Sequence, residues 1–178
     1  MKQPIIQEPH PTLRTVAHEI PVDEITSDTA QTVIQDLFDT LVHESDGVAI
    51  SAPQIDQSVR IFVVSTRAYN QKDTDDLPTV FINPVITHVS KKTEKGEEGC
   101  LSIRWVYGNV ERPTDVTVTA YDETGETFTV EASGFVARVL QHEIDHLDGI
   151  LFTDKATNIK KLSDEEAVEY QKKSQEGM

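Results

Sequence analysis

Apolar positions at Ile34, Leu37, Phe38 and Leu41 recur with a helical period and predict a first amphipathic helix. Thr26 or Ser27 can cap its start, and Asp28 suits the first turn. Asp46-Gly47 reads as its end. Val59–Val64 is a nearly continuous apolar run, as a buried strand would be. Thr79–Ile82 and Val85–Val89 read as two strands broken by Asn83-Pro84. Val116, Val118 and Ala120 alternate with polar residues, the pattern of a half-buried strand. Asp122-Glu123-Thr124-Gly125 is a turn, and Thr127–Glu131 the returning strand. A second helix runs from about Gly134 to Leu147, followed by the short apolar stretch Ile150-Leu151-Phe152. A last helix starts at Ser163, whose spacing to Glu166 fits a capping box. Few apolar residues follow (Ala167, Val168, Tyr170), so it reads as solvated and loosely docked. Residues 1–25 are rich in proline and polar side chains and read as a surface wrap, and Asn70–Leu77 as a polar, acidic loop. The fold class expected is α+β: mostly antiparallel sheets packed around a central helix, with an N-terminal and a C-terminal helix.

Length and charge narrow the field. The chain has 178 residues, which fits a single domain over 1–178. Its core is expected over about 5–155, with a helical tail over about 160–178. Lys plus Arg is 16 and Asp plus Glu is 31, for a net charge of −15. Such a surface repels phosphate backbones and anionic lipid heads, so neither direct DNA binding nor a membrane partner is expected. No leader is expected, and the sequence has no run of the about 18 apolar residues that a membrane span needs. With one cysteine, Cys100, no intrachain disulfide forms. A reducing, cytoplasmic location follows as an expectation.

Candidate chemistry sits on the second helix, as His142-Glu143-Ile144-Asp145-His146. At about 100° per residue, the two histidines lie about 40° apart on one face. Both rings can then hold one cation while Glu143 reaches a water beside it, the arrangement of metal-assisted hydrolysis. Such sites generally use a third protein ligand. Asp148, Asp154, Asp164, Glu165 and Glu166 are candidates downstream, and Cys100 upstream.

Glu98-Gly99-Cys100-Leu101-Ser102 and Gln141-His142-Glu143-Ile144-Asp145-His146-Leu147 resemble two signature motifs of peptide deformylases. Gly47-Val48-Ala49-Ile50-Ser51-Ala52-Pro53-Gln54 is similar to the third. Pro9-His10-Pro11-Thr12-Leu13-Arg14, Asn83-Pro84 and Asp148-Gly149-Ile150-Leu151-Phe152 are smaller echoes, in the family's order.

This resemblance implies hydrolysis of the N-formyl group from formyl-methionine on new polypeptides, with release of formate. It implies Cys100, His142 and His146 as ligands of one divalent ion. Fe²⁺ is the expected ion, with Zn²⁺, Ni²⁺ or Co²⁺ as alternatives that the same donors accept. Glu143 is the implied general base. Gln54 and the backbone N–H of Leu101 are the implied oxyanion donors. Val48, Phe135 and Val139 match positions lining the methionine pocket, although plain core packing explains them equally well. Glu98 and Arg112 match a pair supporting the cysteine loop. The implied partners are N-formyl-Met nascent peptides and, transiently, the ribosome.

The chain departs from the family pattern at three positions. Ala49 stands where the family has glycine against the bound peptide, so its methyl can narrow the cleft. Ser51 replaces alanine. Arg104 stands where proline is common; it can touch a substrate carboxylate or be an exposed loop charge. A deformylase-like metal binder with weak or altered activity, and a general H-E-x-x-H metallopeptidase with an acidic third ligand, are the competing readings.

Overall fold

The structure, a computed structural model, describes residues 1–69 and 78–176. The acidic stretch Asn70–Leu77 therefore lies outside the described residues. Helix α1 spans Asp28–Leu41. Ser27 caps it, its hydroxyl accepting from the Ala30 N–H at 3.3 Å. Ile34, Leu37 and Leu41 face inward. The helix ends at Leu41, before the predicted Asp46-Gly47. Beyond it the backbone tightens into three-residue turns, with His43 N–H on Thr40 O and Glu44 N–H on Leu41 O. These satisfy the last carbonyls without another helical turn.

Two antiparallel sheets follow. The larger has five strands in the order β1-β2-β3-β6-β7. They are β1 (Ala49–Ser51), β2 (Ile61–Val64), β3 (Val80–Val89), β6 (Asp115–Tyr121) and β7 (Thr127–Ser133). The smaller has three, in the order β4-β5-β8: β4 (Thr93–Cys100), β5 (Ile103–Pro113) and β8 (Thr157–Lys161). Helix α2 (Gly134–Leu147) packs on β1, β6 and β7 of the large sheet and on β5 of the small one. It buries Ala137, Val139, Leu140, Ile144 and Leu147 in a core with Phe62 and Phe81, whose rings stack at 4.6 Å. A second core lies under α1, around Ile50, Ile61 and Ile82. The α+β architecture is as the pattern of the chain predicts.

Asn83-Pro84 does not break the chain into two strands. β3 runs through it, with a register shift between Ile82 and Val85 against β6. Proline has no N–H for the ladder, so a bulge absorbs it. Asn83 takes a left-handed conformation, φ 48°. Its side chain accepts from Ile20 N–H at 2.9 Å and donates to Ile20 O at 2.7 Å. This pins the N-terminal wrap, which buries Leu13, Ala17, Ile20 and Ile25. Helix α3 (Phe152–Lys155) buries Phe152. Helix α4 (Asp164–Glu176) opens with the capping box, Ser163 N–H on Glu166 Oε2 at 2.8 Å and Glu166 N–H on Ser163 Oγ at 3.3 Å. The expectation of a merely solvated helix is corrected: Ala167 is buried, and Tyr170 packs on Trp105 and Tyr107 of β5.

Asn83→Ala removes two partly buried hydrogen bonds and places a Cβ-bearing residue without a local partner in the left-handed region. It is expected to lower unfolding free energy by about 2–3 kcal/mol in a urea titration. Asn83→Gly keeps the backbone geometry and loses less.

Candidate metal centre and active site

Cys100 ends β4, where the strand turns sharply through Leu101-Ser102 into β5 and the register shifts to pair Cys100 with Ile103. Gly99 before it has no room for a side chain. A Cβ there would meet the Tyr107 ring at 2.7 Å. His142 and His146 lie one turn apart on α2, ring centroids 5.0 Å from each other. Cys100 Sγ is 3.1 Å from His146 Nε2. The ligand atoms of Cys100, His142 and His146 all fall within 4.8 Å of one another. Among the described residues, this is the group of three that could hold a metal ion. The acidic candidates sit elsewhere: Asp148 pairs with Arg60, Asp154 with Arg14, and Glu166 caps α4.

The donor set fits a cation. Burial pushes the Cys100 thiol up, but the His146 and His142 rings outweigh it and hold the thiol down at about 5. The sulfur is therefore thiolate, the form that ligates metals. His142 presents Nδ1 to Glu98 Oε2 at 3.0 Å, which leaves Nε2 for the centre. Glu98 also accepts from Arg112 Nε at 2.6 Å, Arg112 Nη2 at 2.9 Å and Arg138 Nη1 at 2.7 Å. Burial alone would raise the Glu98 carboxyl; Arg112 and His142 hold it well below the usual range. Arg112 continues to Asp145 at 2.8 Å, and Lys155 holds Asp145 from outside at 2.7 Å.

Glu143 is buried beside the ligands, and burial raises its carboxyl against the pull of both histidines. Among the described residues, its Oε2 has no hydrogen-bond partner. A buried acceptor without a partner is costly unless a water or substrate meets it. Gln54 sits in a short 3-10 turn, Ala52–Ile55. Its Oε1 accepts from Ser51 N–H at 2.9 Å and Ser51 Oγ at 3.0 Å. Its Nε2 therefore faces Ser102 Oγ at 3.3 Å and Cys100 Sγ at 3.6 Å. Ser51, which stands where the family pattern has alanine, thus orients this amide. The signal was present, since Ser51-Ala52-Pro53-Gln54 has capping-box spacing.

A cleft of about 300 Å³ opens on these groups. Val48, Ala49, Phe135 and Val139 line it, as do Gln54, Leu101 and Arg104. Ala49 is only 6 % exposed and packs in the core with Phe62 and Val64. Val139 is likewise mostly core, whereas Phe135 is 57 % exposed at the rim. Arg104 is neither an exposed charge nor an unoccupied one. Its guanidinium is held by Asp46 at 2.9 Å and by Glu44. Arg138, Asp145, Tyr107 and Tyr170 complete the surroundings and were not singled out from the sequence. No local pattern marks them, because their partners lie far away along the chain.

The family model for polypeptide deformylases matches residues 2–162. The chain belongs to the polypeptide deformylase family. A peptide deformylase of Acinetobacter baumannii (strain SDF) is 37% identical over 166 residues, covering 93% of this chain and 89% of the relative. One from Desulforudis audaxviator is 43% identical over 157 residues, covering 88% and 95%. The crystal structure of an A. baumannii class I type b peptide deformylase bound to Met-Ala-Ser matches with a TM-score of 0.77 at 33% identity. It covers 87% of this chain and 98% of that one.

Glu98→Gln breaks a buried charge network and leaves Arg112 short of its partner. The expected loss is about 3 kcal/mol. In a chain of this size that reads as a fall of about 6–12 °C in Tm by calorimetry.

Proposed function

We propose that this chain removes the formyl group from formyl-methionine at the N-terminus of new polypeptides, using Cys100, His142 and His146 to hold one divalent ion. The reading is carried by the convergence of those three donors beside a buried, unpartnered Glu143 oxygen. Family membership supports the reaction class. We propose Fe²⁺ as the ion in the cell; the one-thiolate, two-imidazole set equally accepts Zn²⁺, Ni²⁺ or Co²⁺. When bound, such an ion polarises the formyl carbonyl and acidifies water.

The chain's own residues do the rest. Glu143 takes a proton from the attacking water at its carboxylate. It returns that proton to the amide nitrogen as the C–N bond breaks. Formate and a free N-terminus leave. Gln54 Nε2 and the Leu101 N–H donate to the carbonyl oxygen as it gains negative charge. Ser51 keeps the Gln54 amide from turning its acceptor toward that oxygen. Val48, Phe135 and Val139 receive the methionine side chain, and Ala49 lies against the bound peptide. Arg104, tied to Asp46 and Glu44, shapes the cleft edge. Glu98 and Arg112 steady the cysteine loop and His142.

The whole chain, 1–178, is proposed to work as one domain, in the reducing cytoplasm that keeps Cys100 reduced. No helix among the described residues is long and apolar enough to cross a membrane. Its substrate places it transiently at the ribosome, where docking would need a local patch because the net charge is −15. That charge also argues against DNA as a target.

Formate release from formyl-Met peptides by anaerobically Fe²⁺-loaded protein tests the reading. Glu143→Ala is expected to keep the metal and lose about 10²–10⁴-fold in kcat. Cys100→Ser is expected to lower bound metal per chain, measured by elemental analysis. A general metallopeptidase would instead cleave unformylated peptides and keep its metal in Cys100→Ser.

A further inference from the structure

The cleft has a side that the proposed chemistry does not use. Trp105, Tyr107 and Tyr170 line it together with Cys100, His142 and Glu143. Tyr107 lies on Gly99, one residue from the sulfur. Tyr170 comes from α4, and its ring is 5.8 Å from Tyr107 and 6.3 Å from Trp105, edge-on to the latter. Trp105 holds a left-handed backbone, φ 65°. A bulky side chain rarely adopts that region, and it persists only where the surroundings enforce it. Here Leu162 N–H donates to Trp105 O at 2.8 Å, at the end of β8. Arg104 stands 5.8 Å over the indole while bound to Asp46 and Glu44. The strain thus turns the chain's single tryptophan toward α4 and the cleft mouth. Tyr170 stays 39 % exposed, so its ring is available to a ligand.

We propose that Trp105, Tyr107 and Tyr170 form an aromatic wall that binds an apolar side chain in the two residues following the formylated methionine, with helix α4 supplying part of the substrate site. The inference rests on the deformylase reading for the direction of the bound peptide. The wall is continuous with the donors that hold the reacting end, so residues beyond the methionine are what reach it. Flat aromatic faces favour apolar and aromatic side chains over small polar ones.

Trp105, the single tryptophan, reports binding without turnover. The full-length protein is titrated with Met-Leu-Phe and Met-Ala-Ser while Trp105 emission is followed. The parent is expected to bind Met-Leu-Phe about fivefold more tightly, the scale of one aromatic contact. Tyr170→Ala is expected to bring the ratio to about twofold or less, and Tyr170→Phe to keep it. Tyr107→Leu, outside α4, is expected to shrink the ratio as well. An equal ratio in parent and both truncated variants overturns the proposal, as does parent protein without preference. No formate from formyl-Met-Leu-Phe, with the binding ratio intact, overturns deformylation and leaves the wall standing.

Discussion

Glu98 sits where β4, β5 and α2 meet, and its carboxylate ties all three together. It accepts from Arg112 of β5 and Arg138 of α2 and faces His142 of α2. A carboxylate this buried would otherwise take up a proton. Its three neighbours keep it ionised, and it fixes their positions in return. Arg138 crosses the hairpin so closely that a Cβ at Gly96 would meet its guanidinium at 2.8 Å. The hairpin carrying Cys100 and the helix carrying both histidines therefore hold one relative placement through charge as well as apolar packing.

Much of this was legible in the sequence, unevenly and for physical reasons. Helix α2 declared itself through its apolar period and its His-Glu spacing, and α1 through its cap and stripe. The hairpin of β4 and β5 was not read, because Thr93–Cys100 lacks apolar alternation. Most of its side chains are exposed, so its order comes from the backbone ladder with β5 and from Arg138. β8 is hidden for the same reason, all five residues being exposed. His142, His146 and Glu143 were readable because their spacing places them on one helix face; Cys100 was one candidate among several until the family resemblance singled it out. Asp145 and Arg138 act through partners distant in sequence, which no local pattern reveals. Ser51 was visible by spacing but masked by its chemical mildness.

With 16 basic residues against 31 acidic ones, guanidinium groups are scarce here. Several of them gather around the cleft and are engaged. Arg112 and Arg138 support Glu98, and Arg104 draws Asp46 and Glu44 to the rim. The strongly negative exterior thus coexists with a cationic scaffold just behind the donors. That scaffold keeps the cysteine loop in place without placing free positive charge in the cleft.

The three donors differ in how far apart they start. His142 and His146 are neighbours on any chain that makes this helix. Cys100 lies three strands (β5, β6 and β7) and a sheet boundary away from them along the chain. Closing that distance is a long-range event in folding, and it completes only when the hairpin has docked. A peptide carrying α2 alone could present two imidazoles but never the thiolate. Full coordination is therefore a signature of finished tertiary structure, and ion affinity gauges how much of the population has completed it.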